Sequence, residues 1–169
     1  MTGRRFFVAG NWKMHHGPRS AAELTKALMS QNLPAATEVV ICPPFVSLPS
    51  VVTVADGTRV AVGAQNVHWE DAGAFTGEIS PAMLLEIGVR WVIVGHSERR
   101  SLFGETDTTS ARRAAHAQAS GLDVIYCVGE SLDERDAGEV DVAITAVGNL
   151  DEFEVAALVV ASVNLRLAG

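Results

Sequence analysis

The chain alternates between short, strongly apolar segments and longer segments with a helical spacing of apolar residues, and this alternation restricts the fold most. The six strand-like segments are FFVAG, VVICPPF, RVAVGAQ, WVIVGH, DVIYCVG and DVAITAV. Such alternation is typical of a parallel sheet built from right-handed βαβ units. The apolar segments are continuous, which indicates strands with both faces covered. On this pattern alone, the sheet is either a barrel or a doubly wound open sheet.

Helix-like segments follow each of these strands. They are Ser20 to Met29, SLPSVVTVA, PAMLLEIGV, Thr108 to Ser120, SLDERD and LDEFEVAALVVASV. Ser80 before Pro81 predicts an N-cap with proline at the first helical position, and residues 107–110 are rich in capping side chains. The one long strand-to-helix connection is NVHWEDAGAFTGEIS. In a fold whose other connections are short, a long loop is usually functional or part of an interface.

Length and charge exclude several classes of protein. The 169 residues with 48% hydrophobic content fit a single globular domain over residues 1–169. The net charge is -7 and no run of lysine or arginine exceeds two residues, so a nucleic-acid partner is not expected. The N-terminal region has only a short apolar stretch, so we expect no membrane segment, no secretory signal and a cytoplasmic location. Cys42 and Cys127 lie within strand segments without CxxC spacing or a His/Cys cluster. We expect buried thiols, no metal and no cofactor.

Polar side chains follow four of the apolar segments at the point where each segment ends. These residues are Lys13, Gln65, His96 and Glu130. In a parallel barrel, the C-terminal ends of the strands meet at one mouth, so side chains placed there converge. The sequence therefore predicts one site that contains all four.

Several longer sequence motifs support the prediction of a shared site. AGNWKM, CPPF, GAQNV followed by GAFTGEIS, VGHSERR, FGET and CVGESL occur in this order from about Phe6 to Leu132. Together they closely resemble the triosephosphate isomerase family. The resemblance implies a (β/α) barrel that interconverts dihydroxyacetone phosphate and glyceraldehyde 3-phosphate through an enediolate. A triose phosphate is then the small-molecule partner.

The resemblance also implies roles for individual residues. Lys13 matches the lysine that faces the substrate phosphate and the developing oxyanion, and Asn11 matches the residue that supports it. His96 matches the electrophile that polarises the carbonyl, and Glu98 matches the acid that pairs with the lysine. From the residues alone, other interpretations stay open: a solvated lysine, a turn-forming asparagine, a packed strand-end histidine, and a surface ion pair of Glu98 with an adjacent arginine. The other histidines are expected at the surface or in packing, namely His15, His16, His68 and His116.

The C-terminal part departs from the family pattern. A (β/α)8 barrel has about 250 residues, so we expect a truncated TIM-type barrel of about six strand-helix units. In the family, the glutamate base lies in a YEPVW-type motif before a lid loop, and the phosphate loop contains a YGGS-type motif. Neither motif occurs in this chain. The glycines after Gly129 are too sparse for a loop whose amides cradle phosphate. Little or no isomerase activity is therefore expected.

The tail DVAITAVGNLDEF matches the family's last strand best, and its sixth strand is the alternative register. Against the family's last strand, Ala146 and Val147 stand where paired glycines normally bind phosphate. Against the sixth strand, Thr145 stands where the base belongs. Both registers leave the base missing. Other carboxylates could act as the base, namely Glu105, Glu130, Glu152 and Glu154. Glu130 is the best placed of these because it lies at the end of a strand. A structural role for Glu130, hydrogen bonding at the barrel rim, is nevertheless favoured.

Two classes of function follow from these observations. The chain is either a weak isomerase, completed by another carboxylate or a second chain, or a non-catalytic relative that serves in binding or assembly. A natural short paralogue, a designed minimal barrel and a fragment all fit the sequence. We also expect a homo-oligomer, because a sheet lacking two strands exposes its edges. The loop around Thr76 resembles the family's dimer loop, which makes Thr76 an interface candidate.

Overall fold

A computed structural model describes residues 6–128 and contains one parallel sheet. Its strands are β1 (Phe6–Asn11), β2 (Thr37–Cys42), β3 (Val60–Ala64), β4 (Trp91–Val94) and β5 (Asp123–Tyr126). Every neighbouring pair is parallel and the spatial order is the chain order. A doubly wound sheet would reverse its strand order at a switch point. The sheet instead curls into a half-barrel, which confirms the predicted truncated TIM-type architecture over these five units.

Helices connect the strands and cover the outer face of the sheet. They are α1 (Pro18–Met29), α2 (Leu48–Ala55), α3 (Pro81–Glu86), α4 (Ser97–Phe103) and α5 (Asp107–Ala119), with a single 3₁₀ turn at Phe45–Ser47. None of these helices is both long enough and apolar enough to cross a bilayer. The predicted sixth strand DVAITAV and the helical segments SLDERD and LDEFEVAALVVASV lie outside the described residues.

Two helix starts follow the predicted capping, with one shift. The Ser80 side chain accepts a hydrogen bond from the backbone N–H of Met83, with Pro81 at the first helical position. The cap of α5 is Thr106, one residue before the predicted stretch, and it forms a reciprocal capping box with Thr109. Both caps satisfy backbone donors that a helix leaves unpaired at its start.

Helix α4 was not predicted, because SERRSLF has no clear apolar period. Its ends are instead defined by capping. The imidazole of His96 accepts a hydrogen bond from the N–H of Glu98 at the start, and Gly104 adopts a left-handed conformation with φ of 67° at the end. Terminal hydrogen bonds of this kind can define a short helix without an amphipathic face.

The core has two layers, one on each face of the sheet. Alternate strand residues point to opposite faces, so Ile41 packs outward with Leu48, Leu84 and other helical side chains, whereas Val40 packs inward with Ile93. The inner layer also contains Ala9, Cys42 and Ile125. This double burial is the reason why the strands read as continuous apolar runs.

Gly63 shows how tightly the inner layer is filled. A Cβ atom added there would lie 2.8 Å from the Sγ of Cys42 and 3.1 Å from the Cβ of Trp91. Real Cβ atoms do not approach other atoms this closely, so neighbouring side chains occupy the space. A packed interior, rather than a pore, is typical of barrel strands.

The two cysteines have environments that disfavour reactivity. Cys42 is fully buried, and burial raises the pKa of its thiol to about 12. Cys127 is only half-buried, which corrects the expectation that both thiols are enclosed, yet burial still raises its pKa to about 11. Because the thiolate is the reactive form, both side chains act as small apolar groups at neutral pH.

Candidate active site

A cavity of about 320 Å³ opens at the C-terminal ends of the strands. Asn11 ends β1, Lys13 follows it, Gln65 follows β3 and His96 lies just beyond β4, and all four side chains line this cavity. The predicted convergence is therefore present for Lys13, Gln65 and His96. The fourth predicted member, Glu130, lies outside the described residues.

The backbone of Lys13 is held in an uncommon conformation. Its φ is 51°, a left-handed value that side-chain-bearing residues seldom adopt. The N–H of Lys13 donates to Oδ1 of Asn11 at 2.9 Å, and its carbonyl accepts from Nε2 of Gln65 at 2.9 Å. The same Gln65 nitrogen also donates to the carbonyl of Cys42 at 2.8 Å. The side chains of Asn11 and Gln65 thus bind the N–H and the carbonyl of Lys13. These two hydrogen bonds hold Lys13 in its left-handed backbone conformation.

The ammonium of Lys13 pairs with Glu98, which lies in the first turn of α4. The distance between Nζ and Oε1 is 2.6 Å. The hydrogen bond from Lys13 lowers the pKa of Glu98, and it outweighs the opposing effect of partial burial. The two adjacent arginines have other partners, since Arg99 binds Glu105 and Arg100 binds Asp107. Among the partners that the sequence left open for Glu98, the structure selects the lysine.

His96 presents one ring nitrogen to the protein. Its Nδ1 accepts a hydrogen bond from the N–H of Glu98 at 3.2 Å, so Nδ1 carries no proton and the proton of the neutral ring is on Nε2. Burial lowers the pKa of His96, and the charge of Lys13 lowers it further, against opposing effects from Glu98 and Glu105. The side chain is 12% exposed. At neutral pH the ring is therefore an uncharged donor at the cavity.

Glu105 does not face the cavity, although it was among the carboxylates considered as a substitute base. Its side chain is 2% exposed and lies behind the site. It accepts hydrogen bonds from the N–H of Gly95, from Ser110 and from Arg99. Burial alone would raise the pKa of Glu105, but the hydrogen bonds from Arg99, Ser110 and Gly95 lower it below its ordinary value. A carboxylate with all these donors is not free to remove a proton from a ligand, which rules out Glu105 as the base.

The sequence offered Arg99 and Arg100 only as surface partners of Glu98, and it gave Arg113 no role. Arg100 donates from Nε to the carbonyl of Gly95 at 2.8 Å, and Arg113 donates to Asn66 Oδ1 and to the carbonyl of Val67. The doublets at 99–100 and 112–113 are visible in the sequence, but nothing in their spacing indicates these contacts. Only the fold shows that Arg113 is buried.

The long connection between β3 and α3 projects from the mouth. Residues 71–77 are all exposed, and they include Thr76. At its base, His68 is buried between the rings of Trp69 and Phe75, with centroid distances of 4.5 Å and 4.4 Å. The packing role expected for His68 is therefore present. Of the other histidines, His15 is exposed, His16 packs against Trp12, and His116 contacts Asp71 on the surface.

Comparison with known proteins places this geometry in a family context. The family model described as triosephosphate isomerase matches residues 6–162. The chain is 52% identical over 136 residues to triosephosphate isomerase of Thermoanaerobacter pseudethanolicus, which covers 80% of the chain and 55% of the relative. It is 51% identical over 143 residues to the enzyme of Acaryochloris marina, covering 83% of the chain and 59% of that relative.

A third relative extends the match toward the C-terminus. Triosephosphate isomerase of Caldanaerobacter subterraneus is 46% identical over 163 residues, which covers 94% of the chain and 66% of the relative. The chain thus spans between about half and two-thirds of the length of these curated relatives. With a family match over most of its residues and a parallel half-barrel that brings Lys13 and His96 to one mouth, the chain belongs to the triosephosphate isomerase family.

Proposed function

We propose that the cavity binds a triose phosphate and polarises its carbonyl group, which is one half of the chemistry of triosephosphate isomerase. The observation that carries this proposal is the shared cavity of Lys13 and His96. One supplies a positive charge and the other an uncharged N–H donor. Asn11 and Gln65 support the proposal because they hold the backbone of Lys13 in place.

The chemistry follows from the charge that develops during isomerisation. When a proton leaves the carbon next to the carbonyl, the carbonyl oxygen becomes an enediolate oxygen with negative charge. The Nε2–H of His96 can donate to that oxygen, and the ammonium of Lys13 can stabilise it and also attract the phosphate. Donors fixed before the reaction are effective because they need no reorganisation as the charge forms.

The base that removes the carbon-bound proton is the part that residues 6–128 do not supply. Among the described residues that line the cavity, Glu98 is the sole carboxylate, and it is paired with Lys13. We therefore propose that this chain by itself binds its ligand better than it isomerises it. Glu130 is the carboxylate to test as a replacement base, because it follows the last apolar segment before the tail.

Binding is expected to depend on Lys13 and His96 in different ways. The probes are dihydroxyacetone phosphate and glycerol 3-phosphate, which share the phosphate but differ in the carbonyl, titrated calorimetrically. Lys13→Ala is expected to weaken both by about 10- to 100-fold, the usual range for a charged hydrogen bond. His96→Gln is expected to weaken dihydroxyacetone phosphate by about 3- to 10-fold and to leave glycerol 3-phosphate nearly unchanged.

The chain offers a matched control for this experiment. Lys26, the only other lysine, is exposed on α1. Lys26→Ala should bind both probes as the parent does. Equal affinities of the parent, Lys13→Ala and His96→Gln for both probes would contradict the proposed site.

A second role, self-association, is supported by apolar side chains around the mouth. Met14 is 94% exposed, Phe103 is 69% exposed and Phe45 is 49% exposed, although all three line the cavity. Exposed apolar side chains clustered next to a projecting loop are typical of a protein interface. We propose that a second copy of the chain covers them and that the loop around Thr76 contributes to the contact.

Light scattering tests the assembly directly. The parent is expected to be larger than a monomer at high concentration. Thr76→Arg should shift it toward monomer, because a bulky charge in this exposed part of the loop disfavours close contact. Thr53→Arg, the same change at an exposed position on α2, should leave the size unchanged. A monodisperse monomeric parent would contradict self-association.

A further inference from the structure

The residue before His96 forms a sharp turn whose polar groups are bound by side chains. Gly95 has a φ of 73°, and a Cβ atom added there would lie 3.1 Å from the carbonyl oxygen of Cys127. Its N–H donates to Oε1 of Glu105 at 2.9 Å, and its carbonyl accepts from Nε of Arg100 at 2.8 Å. The direction in which the chain leaves β4, and hence the position of His96, is thus held by two side chains.

The carboxylate of Glu105 connects this turn to the helices behind it. Its Oε1 also accepts from the hydroxyl of Ser110 in α5 at 2.9 Å, and its Oε2 accepts from Nε of Arg99 in α4 at 2.8 Å. One buried carboxylate therefore ties the residue before His96 to the helix that begins after it. Hydrogen bonds to a buried charge are among the stronger ones in proteins, so this connection resists displacement.

We propose that Glu105 is a positioning residue for His96. By fixing Gly95 on one side and Arg99 on the other, it keeps Nδ1 of the imidazole on the N–H of Glu98 and Nε2 toward the cavity. Glu105 itself does not line the cavity, so it acts there through the residues that it holds in place. Its importance for chemistry rests on the proposed function, but the positioning is measurable without a substrate.

Nitrogen-15 NMR of histidine-labelled protein tests this arrangement in Glu105→Gln. The His96 signals are assigned by their absence in His96→Gln. In the parent, Nδ1 is expected to resonate as an unprotonated acceptor and Nε2 as a protonated nitrogen. In Glu105→Gln we expect this fixed tautomer to give way to an averaged mixture, because the carboxamide cannot serve Gly95 and Arg99 as a carboxylate does.

The pKa of His96 separates positioning from a simple effect of charge. The negative charge of Glu105 raises the pKa of His96, so removal of that charge alone would lower it. Release of the ring from its buried position would instead raise the pKa toward its ordinary value of 6.5. We expect the rise. An unchanged tautomer together with an unchanged or lowered pKa would overturn the proposal.

Two further variants keep the test decisive. Arg100→Gln releases the carbonyl of Gly95 while it leaves Glu105 in place, and it should shift the tautomer in the same direction to a smaller extent. If Glu105→Gln fails to fold, an unchanged tautomer in Arg100→Gln overturns the proposal. Ser80→Ala removes the cap of α3, a hydrogen bond from the N–H of Met83 in which neither Gly95 nor Glu105 takes part, and its His96 signals should match those of the parent.

The NMR test of His96 positioning and the test of triose phosphate binding can succeed or fail separately. A fixed His96 that is released in Glu105→Gln, in a protein that binds neither triose phosphate probe, would support the positioning and contradict the binding proposal. A protein that binds the triose phosphate probe, but whose His96 signals are unchanged in Glu105→Gln, would support the binding proposal and contradict the positioning.

Discussion

Purified protein is expected to convert glyceraldehyde 3-phosphate at a rate about 10²- to 10⁴-fold or more below that of a full-length relative such as the Thermoanaerobacter enzyme. Loss of general base catalysis alone accounts for this range. His96 and Lys13 can stabilise negative charge, but the acceptor nitrogen of His96 is bound by the N–H of Glu98 and Lys13 is paired with the Glu98 carboxylate, so neither offers a free base. The rate is measured by following dihydroxyacetone phosphate formation by NMR with highly purified protein.

A contaminating host enzyme is the main source of error in this measurement. Lys13→Ala and His96→Gln, prepared in the same way, show how much of a residual rate belongs to the chain. Robust turnover that survives purification and disappears in both variants would refute the expectation of weak activity. The decisive next variant is then Glu130→Gln, because surviving turnover requires a base.

Arg113→Met is expected to lower the free energy of unfolding by about 3 to 5 kcal/mol, the usual range when one member of a buried charged network is removed. The side chain of Arg113 is 9% exposed. It donates to Asn66 and Val67 at the start of the projecting loop, and it lies 3.6 Å from Glu78 and 3.9 Å from Glu105. Methionine fills a similar volume but leaves Oδ1 of Asn66 and the carbonyl of Val67 without this donor, and it removes the positive charge beside Glu78 and Glu105. Urea denaturation followed by circular dichroism measures the change.

The neighbouring residue offers a matched control for this experiment. Arg112 lies over the same Trp69 ring, at 4.9 Å compared with 4.8 Å for Arg113, but its side chain is 59% exposed and its ion pair with Glu70 is at the surface. Arg112→Met should change the free energy of unfolding by less than about 1 kcal/mol. Equal losses in the two variants would show that stacking on Trp69, rather than the buried network, accounts for the stability.

The features that the sequence revealed are those with a local or periodic signature. Continuous apolar runs predicted the strands because each strand is buried on both faces, and Ser80 before Pro81 predicted the start of α3. The placement of Lys13 and His96 at strand ends predicted their common cavity. In each case the signal in the sequence is local, although the burial and the convergence that it predicts arise only in the fold.

The features that were missed depend on contacts between distant segments or on capping without periodicity. Glu105 reads as one more carboxylate in FGET, and only the fold shows that Gly95 and Ser110 donate to it. Helix α4 has no apolar stripe, so periodicity could not reveal it. No local pattern indicates that Arg113 is buried, because its partner Asn66 lies 47 positions away.

The spatial order of the strands bears on how the chain folds. Each strand pairs with the one that precedes it along the chain, from Val39 with Val60 at the shortest separation to Trp91 with Asp123 at the longest among the described pairs. Closing such modest loops carries a low entropic penalty, which grows only with the logarithm of loop length. Pairings of this kind form more slowly than contacts within a helix, but each strand needs only the strand before it in the chain as its partner. Each unit from β1 to β5 can therefore dock on its predecessor as it leaves the ribosome, before the rest of the chain has been synthesised.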